Sequence, residues 1–444
     1  MANIGTYQIT RGTLIIIGAI IIIILLLASV FFGILPGSRP TKPPQVTLEF
    51  WGLFDDLAIW QPVFDAYRKN NNTVYFNYVQ MNPDNYEQNL VEALASGKTP
   101  DIIMFRSSWL AKHGNKISPL PETIMTLRNF QETFPDVATV DFVRQPADKI
   151  YALPVWTDVL AMFYNKDLFN TAGIATPPKT WDDFVEDVRK LSNKDKFGNL
   201  TKSAAAIGTV NNVNNAADIL SLLMLQAGAK MISDDGKEAV FDKPITVGNS
   251  TYKPGESALR FYTDFASPKS GAYTWNDKLP NSFDAFTLGQ TAIIFDYAVN
   301  IPRIKQKAPN LRLGIAPVPQ LADTTKIVNY ADFWGYSVPL ASKNTEAAWN
   351  FLVFLTSKDI NKYFSNAVLR PASRRDVLSE ERTSPDLGVF ADSILSATNW
   401  YRVDPSAIDS IFKDMINSVV LGNAKPADAI NDAAAKVTSL MRKQ

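Results

Sequence analysis

Cysteine is absent from the 444 residues, and histidine occurs once, at His113. The first absence excludes disulfides, thiolate metal sites, a cysteine nucleophile and a lipid-modified N-terminal cysteine. The second excludes a multi-histidine metal centre and leaves His113 to serve any histidine-dependent triad. Beside Gly114, His113 reads as a surface or turn residue. No charge excess exists either: 44 Lys and Arg balance 44 Asp and Glu, so the basic field of a nucleic-acid binder is missing. No phosphate-cradling P-loop occurs. Asn193–Asn199 begins like a calcium loop, but Phe197 occupies a ligand position and Ala204 stands where the bidentate Glu belongs, so it reads as a turn. No cofactor or metal is expected.

What is present begins with Leu14–Leu35, about 22 uncharged and mostly apolar residues. At a rise of about 1.5 Å per residue the run reaches roughly 33 Å, enough for a hydrocarbon core. It exceeds the apolar stretch of a cleaved signal, and bulky Phe31 and Phe32 follow Ala28-Ser-Val30, a poor cleavage site. The reading is a short tail (1–13), a retained single-pass anchor (14–35) and a stiff spacer (36–45) carrying Pro36, Pro40, Pro43 and Pro44. Arg11 lies before the span and Arg39 and Lys42 after it, so charge does not decide orientation.

The remainder is too long for one ordinary core. Val46–Trp51 and Val74–Gln80 alternate as strands, Asp101–Phe105 is a nearly continuous apolar strand, and helices over about 57–69 and 84–96 separate them. This β-α-β-α-β order predicts a parallel sheet covered by helices. Further on, Thr180-Trp-Asp-Asp183 opens a helix with a capping-box start. A short strand at Ala204–Gly208, helices at 215–228, 256–265 and 344–355, strands at 293–295 and 311–315, and a helical end from about Ser406 follow.

The most informative stretch is Tyr151-Ala-Leu-Pro-Val-Trp-Thr-Asp-Val-Leu-Ala-Met-Phe-Tyr-Asn-Lys-Asp-Leu-Phe169. Two apolar runs are interrupted by Pro154, Trp156, Thr157 and Asp158, which suits a chain crossing between lobes at a ligand cleft. This stretch resembles the crossover of the sugar-binding extracytoplasmic proteins of ABC transporters, the maltose-binding-protein family. Ala93–Ile102, Pro177–Phe184, Phe286–Ile293 and Asn344–Leu352 resemble other joins of that family in order and spacing. The resemblance implies an α/β, two-lobed periplasmic-binding-protein-like fold of type II. Lobe one would comprise 46–155 and 337–380, and lobe two 157–333 and 381–444. It also implies an extracytoplasmic, monomeric binding protein that passes a carbohydrate to permease subunits and performs no chemistry on it.

Ligands of open α/β sheets sit outside the carboxyl ends of strands. That rule selects Trp51, Asp55 and Asp56 after the first strand, and Arg106 and Trp109 after the third. It also selects Trp156 and Asp158 in the crossover, Asn212 and Asn214 in an Asn-rich loop, Tyr297 and Asn300 after 293–295, and Trp334 near a second crossover. Aromatic rings suit the C–H face of a sugar, and Asp, Asn and Arg suit its hydroxyl rim. Each has a plain alternative: a Trp can be core, Asp55 or Asp56 a helix cap, Arg106 an ion-pair partner. By the resemblance, Asp158 matches a sugar-binding carboxylate. Phe105 rather than Trp109 matches the lobe-one aromatic, and the Asn-rich loop replaces the lobe-two aromatics, which argues against maltodextrin specificity. A glycan hydrolase would need a second carboxylate across the cleft, and none pairs obviously with Asp158. A ligand-sensing domain would need a signalling partner, since only about a dozen residues precede the span.

Overall fold

A computed structural model of the protein describes residues 11–31, 45–144, 147–322 and 324–443. Most of the expected spacer, the start of the tail and the end of the expected span lie outside the described residues. The helix Arg11–Phe31 is long and apolar enough to cross a membrane, and the rest of the chain does not bury it.

Two sheets organise the globular part. In the first, β1 (Val46–Gly52) pairs in parallel with β2 (Val74–Gln80), and a parallel bridge from Phe50 to Ile102 joins β1 to β3 (Ile103–Arg106). The chain leaves this sheet after β4 (Leu153–Pro154). It then forms β5 (Ala161–Asn165), β6 (Leu200–Ala205), β7 (Thr291–Asp296) and β8 (Leu313–Pro317), ordered β8-β5-β7-β6 in the second sheet. β9 (Trp334–Pro339) returns to the first sheet, antiparallel to β3, and sets Trp334 opposite Arg106. This two-sheet arrangement is the expected two-lobed α/β fold.

The patterns explain the layers. In β1, Leu48 and Phe50 are fully buried while Glu49 and Trp51 face the other side. Phe50 packs edge-on against Trp60 of the helix Leu57–Arg68 and Phe351 of the helix Thr345–Leu355. Every residue of β7 is buried, as a strand covered on both faces requires. Asp56 caps the helix Leu57–Arg68, and the capping box of Thr180 and Asp183 forms as read. The strand expected at Ala204–Gly208 instead ends at Ala205. Gly208 turns the chain with φ 111°, and a Cβ there would lie 2.7 Å from the Ala266 nitrogen. His113 is a correction: it is buried, with Nε2 2.8 Å from Glu87, rather than on the surface.

Between the sheets the chain is tied near its crossings. Bridges join Trp156 to Ala372 and Val159 to Ala331, and Asn329–Tyr330 pairs with Ala397–Thr398. The helices Thr345–Leu355 and Lys358–Val368 pack on the first lobe, whereas Pro405–Val420 and Pro426–Met441 pack on helices of the second.

Candidate functional site

The carboxyl end of β3 and the start of β9 lie side by side, so Arg106 and Trp334 share one edge of the first lobe. Trp334 is half-buried and sits among aromatics: Trp109 at 5.2 Å, Phe54 at 6.0 Å and Tyr86 at 6.1 Å between ring centres. Trp109 is itself buried and stacks on Tyr86. Phe54 is half-buried and contacts Trp156 as well. The result is an aromatic wall whose accessible rings are Trp334 and Phe54.

Beside the wall stands a charged network. Arg106 donates to both oxygens of Asp332, at 2.7 to 3.1 Å, a bidentate pair. Arg402, which precedes the helix Pro405–Val420, reaches Asp409 at 3.3 Å, Asp218 at 3.6 Å and Asp332 at 3.9 Å. The hydroxyl of Tyr297 donates to Asp218 at 2.9 Å. Burial alone would raise Asp332, but Arg106 and Arg402 outweigh it and hold the carboxyl below its ordinary value. Burial pushes Asp218 up to about 6 against the pull of Arg402. A cavity of about 390 Å³ opens here, walled by Arg106, Asn215, Asp218, Asp409 and Lys413 among others. Asn215 enters it from a left-handed turn (φ 58°) that its amide holds by donating to Asp296 at 3.2 Å. Two buried polar atoms in this network, Arg402 Nε and Tyr330 Oη, have no partner among the described residues.

The structure brings only part of the expected set together here. Arg106, Trp334, Trp109 and Tyr297 gather in or directly behind this wall and network. Trp51 lines a separate open groove with Glu49, Met81, Glu92 and Asp101, and its indole donates to Glu49 at 2.9 Å. Asp55 is buried in a bidentate pair with Arg370, and Asp56 is a helix cap. Trp156 is 1% exposed, packed on Phe54 and Phe364 under the Arg370 guanidinium. Asn212 is buried, donating to the carbonyls of Asn276 and Leu279, and Asn214 accepts from Asn281. Asn300 donates to Asp296 at 2.8 Å.

Asp158 is also spoken for. It is 1% exposed, and its oxygens accept the backbone N–H groups of Val159, Ala298 and Val299 at 2.9 to 3.1 Å. It thereby clamps the crossover to the chain leaving β7. Burial pushes its carboxyl up to about 8, and the three N–H bonds offset only part of this. An unfolded Asp titrates near 3.9, so the folded chain holds a proton that the unfolded chain releases. The associated stability is fully present below that pH and is lost as pH rises toward about 8. Asp158→Asn should flatten this slope. Thermal melts from about pH 5 to 8 check it: a slope equal to that of the parent chain would refute the assignment.

Phe54, Asp218, Asp332, Arg402 and Asp409 were not singled out from sequence. Trp400-Tyr-Arg402 just before a helix carries the same signal, aromatic beside charged, that singled out Trp156 and Asp158.

Comparison with known proteins supplies the family context. The family model for bacterial extracellular solute-binding proteins matches residues 51–362. A binding protein of Brucella abortus (strain 2308) is 25% identical over 402 residues, which span 86% of this chain and 90% of that protein. The maltooligosaccharide ABC transporter solute-binding lipoprotein of Streptococcus pneumoniae (strain R6) is 24% identical over 366 residues, 79% of this chain and 78% of that one. Among solved structures, the sugar-binding protein MalE of Xanthomonas citri superposes with a TM-score of 0.74 at 17% identity, covering 90% of this chain and 98% of its own. That likeness supports the fold.

Proposed function

Since this chain belongs to the bacterial extracellular solute-binding protein family, we propose that it captures a carbohydrate between its lobes and delivers it to an ABC transporter permease. The observation that carries the ligand class is the half-buried Trp334 and Phe54 wall beside the Arg106–Asp332 pair. A sugar offers an apolar C–H face to such rings and hydroxyls to such planar polar groups. Asp218, Arg402 and Asp409 extend the polar side, and Tyr297 positions Asp218. The pneumococcal relative, which serves maltooligosaccharide transport by its name, supports the same class.

The helix Arg11–Phe31 would tether the domain outside the membrane, within reach of the permease. Binding would favour closure because only the closed state touches ligand from both lobes. No chemistry on the ligand is proposed: the carboxylate a hydrolase would have used, Asp158, has its oxygens engaged by backbone N–H groups.

The test is a thermal-shift and calorimetric screen of the detergent-solubilised full-length protein against mono- and oligosaccharides, with amino acids alongside. A sugar at about 100 times its Kd should add about 2.7 kcal/mol of stability, several degrees in Tm. A response to amino acids with none to any sugar would sink the carbohydrate reading.

Closure has a polar contact that needs no ligand. Lys112 of lobe one lies 2.9 Å from Glu87 and 3.0 Å from Asp404, the cap of the helix Pro405–Val420. All three groups are partly exposed, so the contact is worth about 0.2–1 kcal/mol and is screened by salt. Lys112→Ala should therefore weaken ligand affinity up to about fivefold at low salt and less at high salt. Titrations at two ionic strengths measure the difference.

A further inference from the structure

A second cavity is lined in part by Arg402. It occupies about 290 Å³ between residues 107–111 and 140–144 of the first lobe and the segment 399–402. Arg402 belongs to both regions: it lines this cavity while its guanidinium holds Asp409 and Asp218 of the first one. Small-molecule sites span about 300–1,000 Å³. Each cavity alone is near the bottom of that range, and the two together exceed what one sugar ring fills.

Apart from the shared Arg402, the second cavity offers the same chemistry from different residues. Tyr401 lines it with 47% of its surface exposed, and its phenol has no hydrogen-bond partner among the described residues. Ser108 Oγ is buried and likewise unpartnered. Asp141 is 7% exposed, and both its oxygens accept from one donor, the Asn399 amide, at 2.7 Å. A carboxyl group has more hydrogen-bonding positions than these two bonds fill, and when protonated it adds an O–H donor, so this one has room for sugar hydroxyls. Burial pushes the Asp141 carboxyl well up and Asp332 adds to this, while the Asn399 bond and then Arg402 offset only part of it. A buried hydroxyl and a buried, underfilled carboxyl group each gain when a ligand supplies the missing bonds. Arg144 and Arg402 add planar donors.

We infer that the cleft takes a saccharide of at least two units, with the second ring seated on Tyr401 and hydrogen-bonded by Asp141 and Ser108. This rests on the carbohydrate reading above and adds chain length to it. The experiment is calorimetric titration of the full-length protein with glucose, galactose, mannose, xylose, arabinose and N-acetylglucosamine, each beside its α- and β-linked di- and trisaccharides. For the sugar that binds, affinity should rise tenfold or more from one unit to two, about 1.4 kcal/mol. Tyr401→Ala should collapse that ratio, and Tyr401→Phe, which keeps the ring, should restore most of it. Equal affinity for one unit and two overturns the second subsite and leaves the carbohydrate reading standing, as does an undiminished ratio in Tyr401→Ala. Binding by none of these sugars overturns both.

Discussion

Replacing Arg370 with alanine should cost about 3–5 kcal/mol of stability. Its side chain and that of Asp55 are 5% and 8% exposed, and two bonds of 2.7 and 2.8 Å join them. The guanidinium also lies over the rings of Trp156 at 4.7 Å and Phe54 at 5.2 Å. Without it, Asp55 is left as an uncompensated buried charge under the aromatic wall. Removing both partners should cost less than removing Arg370 alone, because the double variant leaves no orphan charge. Urea denaturation of the two single variants and the double variant measures the coupling. A loss below about 1 kcal/mol for Arg370→Ala would mean that the pair is solvated and does not fasten the loop after β1. The expected loss of about 3–5 kcal/mol should reach the ligand too, since Phe54 rests on this pair and on Trp156.

The second large effect is expected on binding itself. Trp334→Ala should weaken affinity for the cognate sugar by about 30- to 100-fold, the range of an aromatic anchor worth 2 kcal/mol or more. The indole meets Phe54, Trp109 and Tyr86 along its sides, so its position is held before ligand arrives and little ordering is needed on binding. Trp334→Phe keeps a flat ring and should retain most of the affinity. Calorimetry on both variants, with melting temperatures measured alongside, separates a binding loss from a folding loss. Equal affinity in parent and alanine variant would remove Trp334 from the site.

The two experiments concern residues that sequence reading treated alike. Asp55 and Trp334 both follow or begin a strand at the proposed cleft edge, and both were expected to touch ligand. Asp55 proves to be half of an ion pair whose other half is 315 residues further along the chain. No local pattern carries that information. The same holds for Arg106, whose partner Asp332 is 226 residues away, and for Asp158, whose Ala298 donor is 140 residues away. Trp156 was singled out as a cleft aromatic, and its ring is instead covered by Phe54, Phe364 and Arg370.

Features decided within a few residues were readable directly. The alternation in β1, the apolar run Ile293–Phe295 within β7, a cap at Asp55 or Asp56 and the capping box at Thr180 and Asp183 depend on backbone geometry and nearest neighbours. So does the apolar run at the N-terminus, whose length and composition alone suit it to a membrane. The order of strands and helices predicts a parallel sheet covered by helices, and the two-lobed fold follows from the family resemblance carried by Tyr151–Phe169 and the later joins. Which polar side chains are left over for a ligand is a different kind of fact. A carboxylate or guanidinium is free only if no other buried group claims it, and that depends on contacts between segments brought together by the whole fold. Tertiary structure therefore removed Asp55 and Asp158 from the open surface and brought Asp218, Asp332, Arg402 and Asp409 into one network beside Trp334.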